Sequence, residues 1–267
     1  MTTIYWFSGT GNSLALARDI ARHLGGDVPL VPIASLGTRP VTVEGAFGVV
    51  CPVYFYGLPL VVREFLGRMR SEGSSYAFAV LTAGGFAGRA PVQARALLRR
   101  AGKDPDAVYV VTTPGNYIAM YDVRGAEARQ RAIAGAHEAA ERIAAGVKGG
   151  ATAFVHASPA ARAMNAVFYA TFGREFSITC RRRDRRFFAT EACTHCGACS
   201  RVCPVGNIDL VDGRPRWRGH CEQCFACIHW CPEAAIQIRR TATAKRSRYH
   251  HPGVSLDDIG SQRRRPE

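Results

Sequence analysis

With 267 residues, 47% of them apolar and 21% charged, the chain has material for one medium domain with a buried core and a second, smaller one. Its 35 Lys and Arg outweigh 21 Asp and Glu, a formal net charge of +14, which makes an acidic partner a candidate and a basic one a poor fit. No run of about 18 uninterrupted apolar residues occurs, so no transmembrane segment is expected. Nucleic acid is not expected as a partner, because no recognition motif or aromatic ladder accompanies the charge.

Residues 1–150 alternate strand and helix signals. Short continuous apolar runs at 3–7, 46–51, 76–82 and 107–113 read as buried parallel strands. Leu30-Val31-Pro32-Ile33 is shorter and holds a proline, as an edge strand tolerates. Leu14, Ala17, Ile20, Ala21 and Leu24 share a helix face that stops at Gly25-Gly26. Val61, Val62, Phe65, Leu66 and Met69 form a second face, and Val92, Ala96, Leu97 and Leu98 a third. Ile133, Ala136, Ala140, Ile143 and Val147 line a longer helix ending at Gly149-Gly150. This alternation predicts an α/β fold: a doubly wound parallel sheet in the flavodoxin-like order 2-1-3-4-5. The chain opens on a strand and not on a charged leader with an apolar core, so a cytoplasmic location is expected.

The first strand runs into Ser8-Gly9-Thr10-Gly11-Asn12-Ser13 and then directly into a helix. Such a loop offers amides and hydroxyls to an anion where the helix dipole favours negative charge. No Gly-Lys-Ser/Thr follows, and Leu14 stands at the third-glycine position of the dinucleotide fingerprint, so neither a nucleoside triphosphate nor NAD is indicated. A neutral cradle of this composition suits the phosphate of FMN. Ligands of doubly wound sheets lie outside the carboxyl ends of the strands. There the chain places Pro52-Val53-Tyr54-Phe55-Tyr56-Gly57, then Thr82-Ala83-Gly84-Gly85, then Asn116-Tyr117. Aromatic rings of the first segment are candidates to stack on a flat isoalloxazine, and glycines of the second permit close backbone approach.

Residues 151–186 read as a helical, basic linker. Ser158-Pro159 makes an N-cap and first-turn pair, after which Met164, Val167, Phe168 and Phe172 recur at helical spacing. The stripe is expected to pack against its own protein in preference to a membrane surface. Arg181, Arg182, Arg183, Arg185 and Arg186 close the segment.

Eight of the ten cysteines then fall into two matching runs, Cys193-x2-Cys196-x2-Cys199-x3-Cys203-Pro204 and Cys221-x2-Cys224-x2-Cys227-x3-Cys231-Pro232. This spacing is the bacterial ferredoxin signature for [4Fe–4S] clusters, in which the fourth cysteine of each run crosses to the other cluster. One cluster is therefore assigned to Cys193, Cys196, Cys199 and Cys231, the other to Cys221, Cys224, Cys227 and Cys203. Ala198 matches Ala226, Ile208 matches Ile236 and Leu210 matches Ile238, the pseudo-two-fold pattern of a small duplicated domain over 187–240. Structural zinc is met by two C-x2-C pairs with a long spacer, unlike three cysteines at x2-x2 followed by x3-Cys-Pro, twice over, and nothing in the sequence argues for an oxidising compartment and disulfides. Two oxidised clusters and a flavin phosphate, each near −2, would leave a net charge of roughly +8. The charged segment 241–267, with Arg239, Arg240, Lys245, Arg246 and Arg248 near its start and Arg263 to Arg265 near its end, has little to bury and is expected to be disordered.

Taken with Phe7 to Ser13, Pro52 to Pro59, Thr113-Pro114-Gly115-Asn116-Tyr117 and His220 to Pro232, these runs make the chain resemble bacterial and archaeal proteins that fuse a flavodoxin-like domain to a 2[4Fe–4S] ferredoxin domain. The resemblance spans the chain to about residue 240 and implies FMN, two low-potential clusters and intracellular electron transfer, commonly in anaerobes. Flavodoxins are usually acidic and this chain is basic, so their partners do not carry over.

Cys51 and Cys180 are read as packing residues, His195 and His229 as groups that tune the clusters, and His137 as structural. The function expected is electron transfer among an external carrier, the clusters and FMN, and on to a redox partner. The alternative is an FMN-dependent reductase of a small organic substrate, for which Tyr54, Tyr56, Tyr117 and Tyr121 are the candidate acids; a cluster-based sensor lacks an output domain.

Overall fold

A computed structural model describes residues 1–154 and 159–264. Five parallel strands form the main sheet: β1 (Thr2–Trp6), β2 (Leu30–Pro32), β3 (Ala46–Pro52), β4 (Tyr76–Ala83) and β5 (Ala107–Thr112). Their spatial order is β2-β1-β3-β4-β5, the flavodoxin-like order expected from the alternation. Ile4 stands beside Leu30 and Gly48, and Val80 beside Val50 and Tyr109, so the apolar runs stack in register across the sheet. Ile4, Phe47, Val50, Phe78 and Val80 have no solvent exposure, which is why these strands are continuously apolar and not alternating.

Three helices lie between the strands, α1 (Asn12–Leu24), α2 (Leu60–Arg68) and α3 (Ala90–Arg100), and α4 (Ala126–Lys148) follows the last. α1 packs on α4, and α2 on α3. The faces read from the sequence are buried on α1 (Leu14, Ala17, Ile20) and α4 (Ala136, Ala140, Ile143), whereas on α3 Val92 and Ala96 are exposed and the buried face is Ala90, Ala94 and Leu98.

The linker continues as α5 (Pro159–Phe168), one π-helical turn at Tyr169–Gly173, α6 (Arg174–Thr179) and a 3₁₀ segment at Cys180–Arg186. Its expected N-cap, Ser158, lies outside the described residues, as does the side chain of Phe172. Met164 is 48% exposed and Val167 63%, while Phe168 lies against Tyr56, so of the described stripe only Phe168 packs against its own protein as expected.

The small domain pairs β6 (Phe187–Ala189) with β9 (Ile236–Ile238), both antiparallel, around a hairpin of β7 (Ile208–Val211) and β8 (Arg214–Trp217). Asp212 and Gly213 both take positive φ, at 50° and 76°, as a two-residue hairpin turn demands. α7 (Ala198–Arg201) and α8 (Ala226–His229) follow the cysteine loops. Ile208 and Ile236 are buried as matched, but Leu210 is 44% exposed while its counterpart Ile238 is buried, so the duplication stops there.

The terminal segment departs most from expectation. It is ordered through residue 264, carries α9 (Leu256–Gly260) with a complete capping box between Ser255 and Asp258, and folds back onto the first loop of the sheet domain. Gln262, fully buried, exchanges two hydrogen bonds with the backbone of Ser8, and Arg18 donates to both oxygens of Asp258. This strap also seats Val254 and Ile259 in the core; these few apolar residues in a charged segment are why composition suggested disorder. Arg265 lies outside the described residues. No described helix is long and apolar enough to cross a membrane.

Candidate functional site

Both cysteine loops have the same backbone. His195 and Gly197 in the first, and Gln223 and Phe225 in the second, occupy equivalent positions with positive φ of 59°, 71°, 53° and 55°. These alternating left-handed residues curl each loop around its thiols and start α7 and α8 at Gly197 and Phe225. The symmetry extends to the fourth cysteines. The amide of Asn207 donates to Cys203 Sγ at 3.2 Å, and that of Ala235, also four residues on, donates to Cys231 Sγ at 3.3 Å. Gln223 donates twice to Cys221 Sγ, from its backbone at 3.2 Å and from its side chain at 3.4 Å. Such N–H···S bonds stabilise thiolates and the charge delivered to them.

The thiols lie near enough to oppose one another's ionisation, within each crossed set and also between Cys227 and Cys199. Cys199 lies in the electrostatic reach of Cys231, Cys196 and Cys193, and Cys221 in that of Cys224, Cys227 and Cys203. Without iron they resist ionisation. Burial, reinforced by the neighbouring thiols, pushes Cys199 up to about 11, Cys224 up to about 12 and Cys221 well above the ordinary thiol range. A cationic iron core is what lets four thiolates stand so close together. Each loop brings four cysteines, with N–H donors on Cys203, Cys221 and Cys231, a donor set that fits two clusters.

The surroundings of the two groups differ. Cys221, Cys224, Cys227 and Cys203 are all buried, whereas Cys196 is exposed and Cys193 and Cys231 are partly so. Beside Cys196 and Cys231 opens a cleft of about 700 Å³ whose walls include Arg129, Arg201, Arg248 and His250. Trp230 forms its floor, stacked on His250 with ring centroids 4.1 Å apart.

The second group sits against the sheet domain, and several residues not singled out from the sequence make that seam. Glu222 accepts from the amide of Val61 at the start of α2; burial raises its carboxyl to about 7. Trp230 donates its indole N–H to Gly9 O at 3.1 Å. Asp184, buried in the linker's last turn, accepts from Asn207 and from the Gly219 amide. His229 is fixed in one tautomer, with Nδ1 accepting from the Tyr249 amide and Nε2–H donating to Asn116 O; burial lowers it to about 4. It thus ties three segments together, beyond the tuning role expected. The buried Cys180 thiol, pushed up by desolvation, donates to Cys221 O at 3.4 Å, and Cys51 is buried in the sheet core, both as packing residues. Among these, only Trp230 carried a sequence cue, an indole N–H lodged between two cysteines and in need of an acceptor.

The FMN candidates are brought together, but as protein contacts. All six residues Ser8 to Ser13 are buried. Thr10 Oγ1 accepts from Asn116, Asn12 accepts from the Tyr249 hydroxyl and donates to Pro114 O, Ser13 bonds Thr82, and Ser8 Oγ accepts from the Gly11 amide. Phe55 stacks on Phe176 of α6, Tyr56 lies against Phe86 and Phe168, and Tyr117 fills the gap between Phe55 and Phe225. Tyr54 is enclosed, its hydroxyl raised by burial and by Cys224. Pro52 and Val53 border this packing, Gly57 closes a tight turn onto Tyr54, the Ala83 carbonyl accepts from Thr113, and Gly84 and Gly85 remain exposed at the rim. As folded, these residues do not fit a flavin: the hydroxyls of Ser8, Thr10 and Ser13, the Asn12 side chain and the amides of Ser8 and Gly11 are engaged within the same chain.

Residues 186–240 match the family model described as a 4Fe-4S dicluster domain. No curated protein matches the chain. Among solved structures, the N-terminal part is similar to a flavodoxin from the domain Archaea (16% identity, 55% of this chain and 98% of that one, TM-score 0.35). It is also similar to Smu.1420 from Streptococcus mutans UA159 (11%, 53% and 98%, TM-score 0.36) and to the two-electron reduced flavodoxin of Megasphaera elsdenii (17%, 53% and 99%, TM-score 0.32). The chain thus joins a flavodoxin-like α/β domain to a 4Fe–4S dicluster domain.

Proposed function

We propose that the protein is an iron–sulfur electron carrier of a reducing cell interior, taking up and delivering electrons at the Cys193, Cys196, Cys199 and Cys231 centre. The centre at Cys221, Cys224, Cys227 and Cys203 serves as its interior store. When bound, a [4Fe–4S] cluster supplies one-electron redox chemistry at a potential set by charge, hydrogen bonds and exposure. The observation that carries the reading is the unequal exposure of two loops with one backbone: one centre reaches solvent at Cys196, and the other is walled in by the sheet domain.

The chain's own residues do the rest. Asn207, Ala235 and Gln223 donate to thiolate sulfurs, and the sheet domain excludes water from the inner centre. Arg129, Arg201 and Arg248 give the cleft beside Cys196 and Cys231 a cationic wall, which suits an acidic partner surface.

The test uses anaerobic, cluster-loaded protein, reduced and then mixed with one-electron acceptors of opposite charge. Oxidation by ferricyanide should slow as salt is added, and oxidation by hexaammineruthenium should quicken. Salt-independent rates with both would remove the cationic entry point, and absence of two reducible clusters by electron paramagnetic resonance would remove the carrier reading itself.

A further inference from the structure

The loop with the composition of a flavin phosphate cradle is bonded at Ser8, Gly9, Thr10 and Asn12 to distant parts of the same chain. Gln262 pairs with both backbone groups of Ser8, at 3.2 and 2.6 Å. Trp230 takes Gly9 O, and the His251 amide takes Thr10 O at 2.8 Å. Asn116 and Tyr249 take Thr10 Oγ1 and Asn12 Oδ1, at 2.5 and 2.6 Å. These partners come from three separate places in the chain: the loop after β5, the dicluster domain and the terminal strap.

The glycines point the same way. A Cβ at Gly9 would lie 2.7 Å from Cys224 O and 2.8 Å from Tyr54 Oη; one at Gly11 would lie 3.0 Å from His251 and 3.1 Å from Val254. In a phosphate cradle, glycine makes room for the ligand. Here it makes room for Cys224 and for the strap. The aromatic residues placed to sandwich a flavin are likewise engaged, Phe55 with Phe176 at 3.3 Å between centroids and Tyr117 with Phe225. A flavin would have to displace the Cys224 loop, Trp230 and residues 249–262 together.

We propose that this cradle is an intramolecular socket and not a flavin site: the flavodoxin-like domain binds no FMN, and the loop of Cys221, Cys224 and Cys227 takes the flavin's place at the carboxyl edge of the sheet. This rests on the dicluster reading above. The sheet domain then acts as a water-excluding holder for the inner cluster, and the strap as the clasp that keeps the two domains seated.

The full-length protein, purified anaerobically with its clusters and incubated with excess FMN, should after gel filtration carry about eight irons and flavin far below one per chain. Hydrogen exchange at residues 8–13 and 249–262 should be the same with and without FMN. One FMN per chain, or exchange in either segment that responds to FMN, overturns the proposal. The double variant Gln262→Ala/Tyr249→Phe should exchange faster over 249–262 and still bind no flavin. If it gains stoichiometric FMN, the strap is a lid over a working flavin site and the socket is refuted. Iron counted in the same sample keeps the two readings apart: missing iron counts against the dicluster reading, and bound flavin against the socket.

Discussion

The two cysteine loops, Cys193–Cys199 and Cys221–Cys227, repeat spacing, left-handed positions and the helix that follows, yet one faces a cationic cleft and the other a wall of protein. Gly197 stands where Phe225 stands in the second loop. Phe225 packs between Tyr117 and Phe187, so a residue that costs about 1–2 kcal/mol in left-handed backbone is retained where it fills the seam. The comparison separates two tasks. Residues inside a loop set the geometry of its thiolates; residues far away in sequence set how much water reaches them. Exposure is among the factors that tune cluster potential, so one duplicated motif yields two unlike centres.

The harshest way to break the comparison is to remove a crossing ligand. Cys203→Ala should abolish the inner centre, halving iron from about eight to about four per chain. Loss of the Cys193 signals by electron paramagnetic resonance, with the Cys221 signals kept, would reverse the crossed assignment. A strong chelator applied to the intact protein sharpens the contrast: the outer centre should lose iron first, and simultaneous loss from both would show that burial does not distinguish them.

Smaller effects probe the seam. Gly9→Ala forces a methyl group onto Cys224 O and should destabilise the protein by about 1–3 kcal/mol in guanidinium unfolding. An unchanged midpoint would mean that the seam gives way without cost. Asp258→Asn removes half of the strap's capping box and the Arg18 pair, a loss of about 1 kcal/mol, read as faster exchange in 254–262. The hydrogen bond from Arg18, and then the Ser255 amide, hold the Asp258 carboxyl below the usual carboxylate range. A depressed folded value means that this contribution is complete above the ordinary carboxylate range and fades as pH falls through the folded value. Strap exchange should therefore accelerate only in strong acid, and acceleration near neutral pH would point to another group.

Much of this was legible along the chain. Buried parallel strands announce themselves as short runs of Val, Ile and Phe, and the order of the sheet follows from their number and their helices. The cysteine spacing carries the cluster chemistry because thiolate geometry is a local matter. The Asp212-Gly213 hairpin was also readable, since the turn needs those residue types. Less legible were Tyr54, Phe55 and Tyr56: an aromatic run at a strand end looks the same whether a flavin or Phe176 lies above it.

By itself the sequence determined the parallel sheet and the dicluster domain, because both depend on periodicity and spacing within a few dozen residues. Only the tertiary structure decided which centre is buried, that the strap is ordered and that the cradle is closed. The reason is physical: Ser8 and Gln262 are 254 residues apart, and single polar side chains joined over that distance leave no periodic signal in either segment.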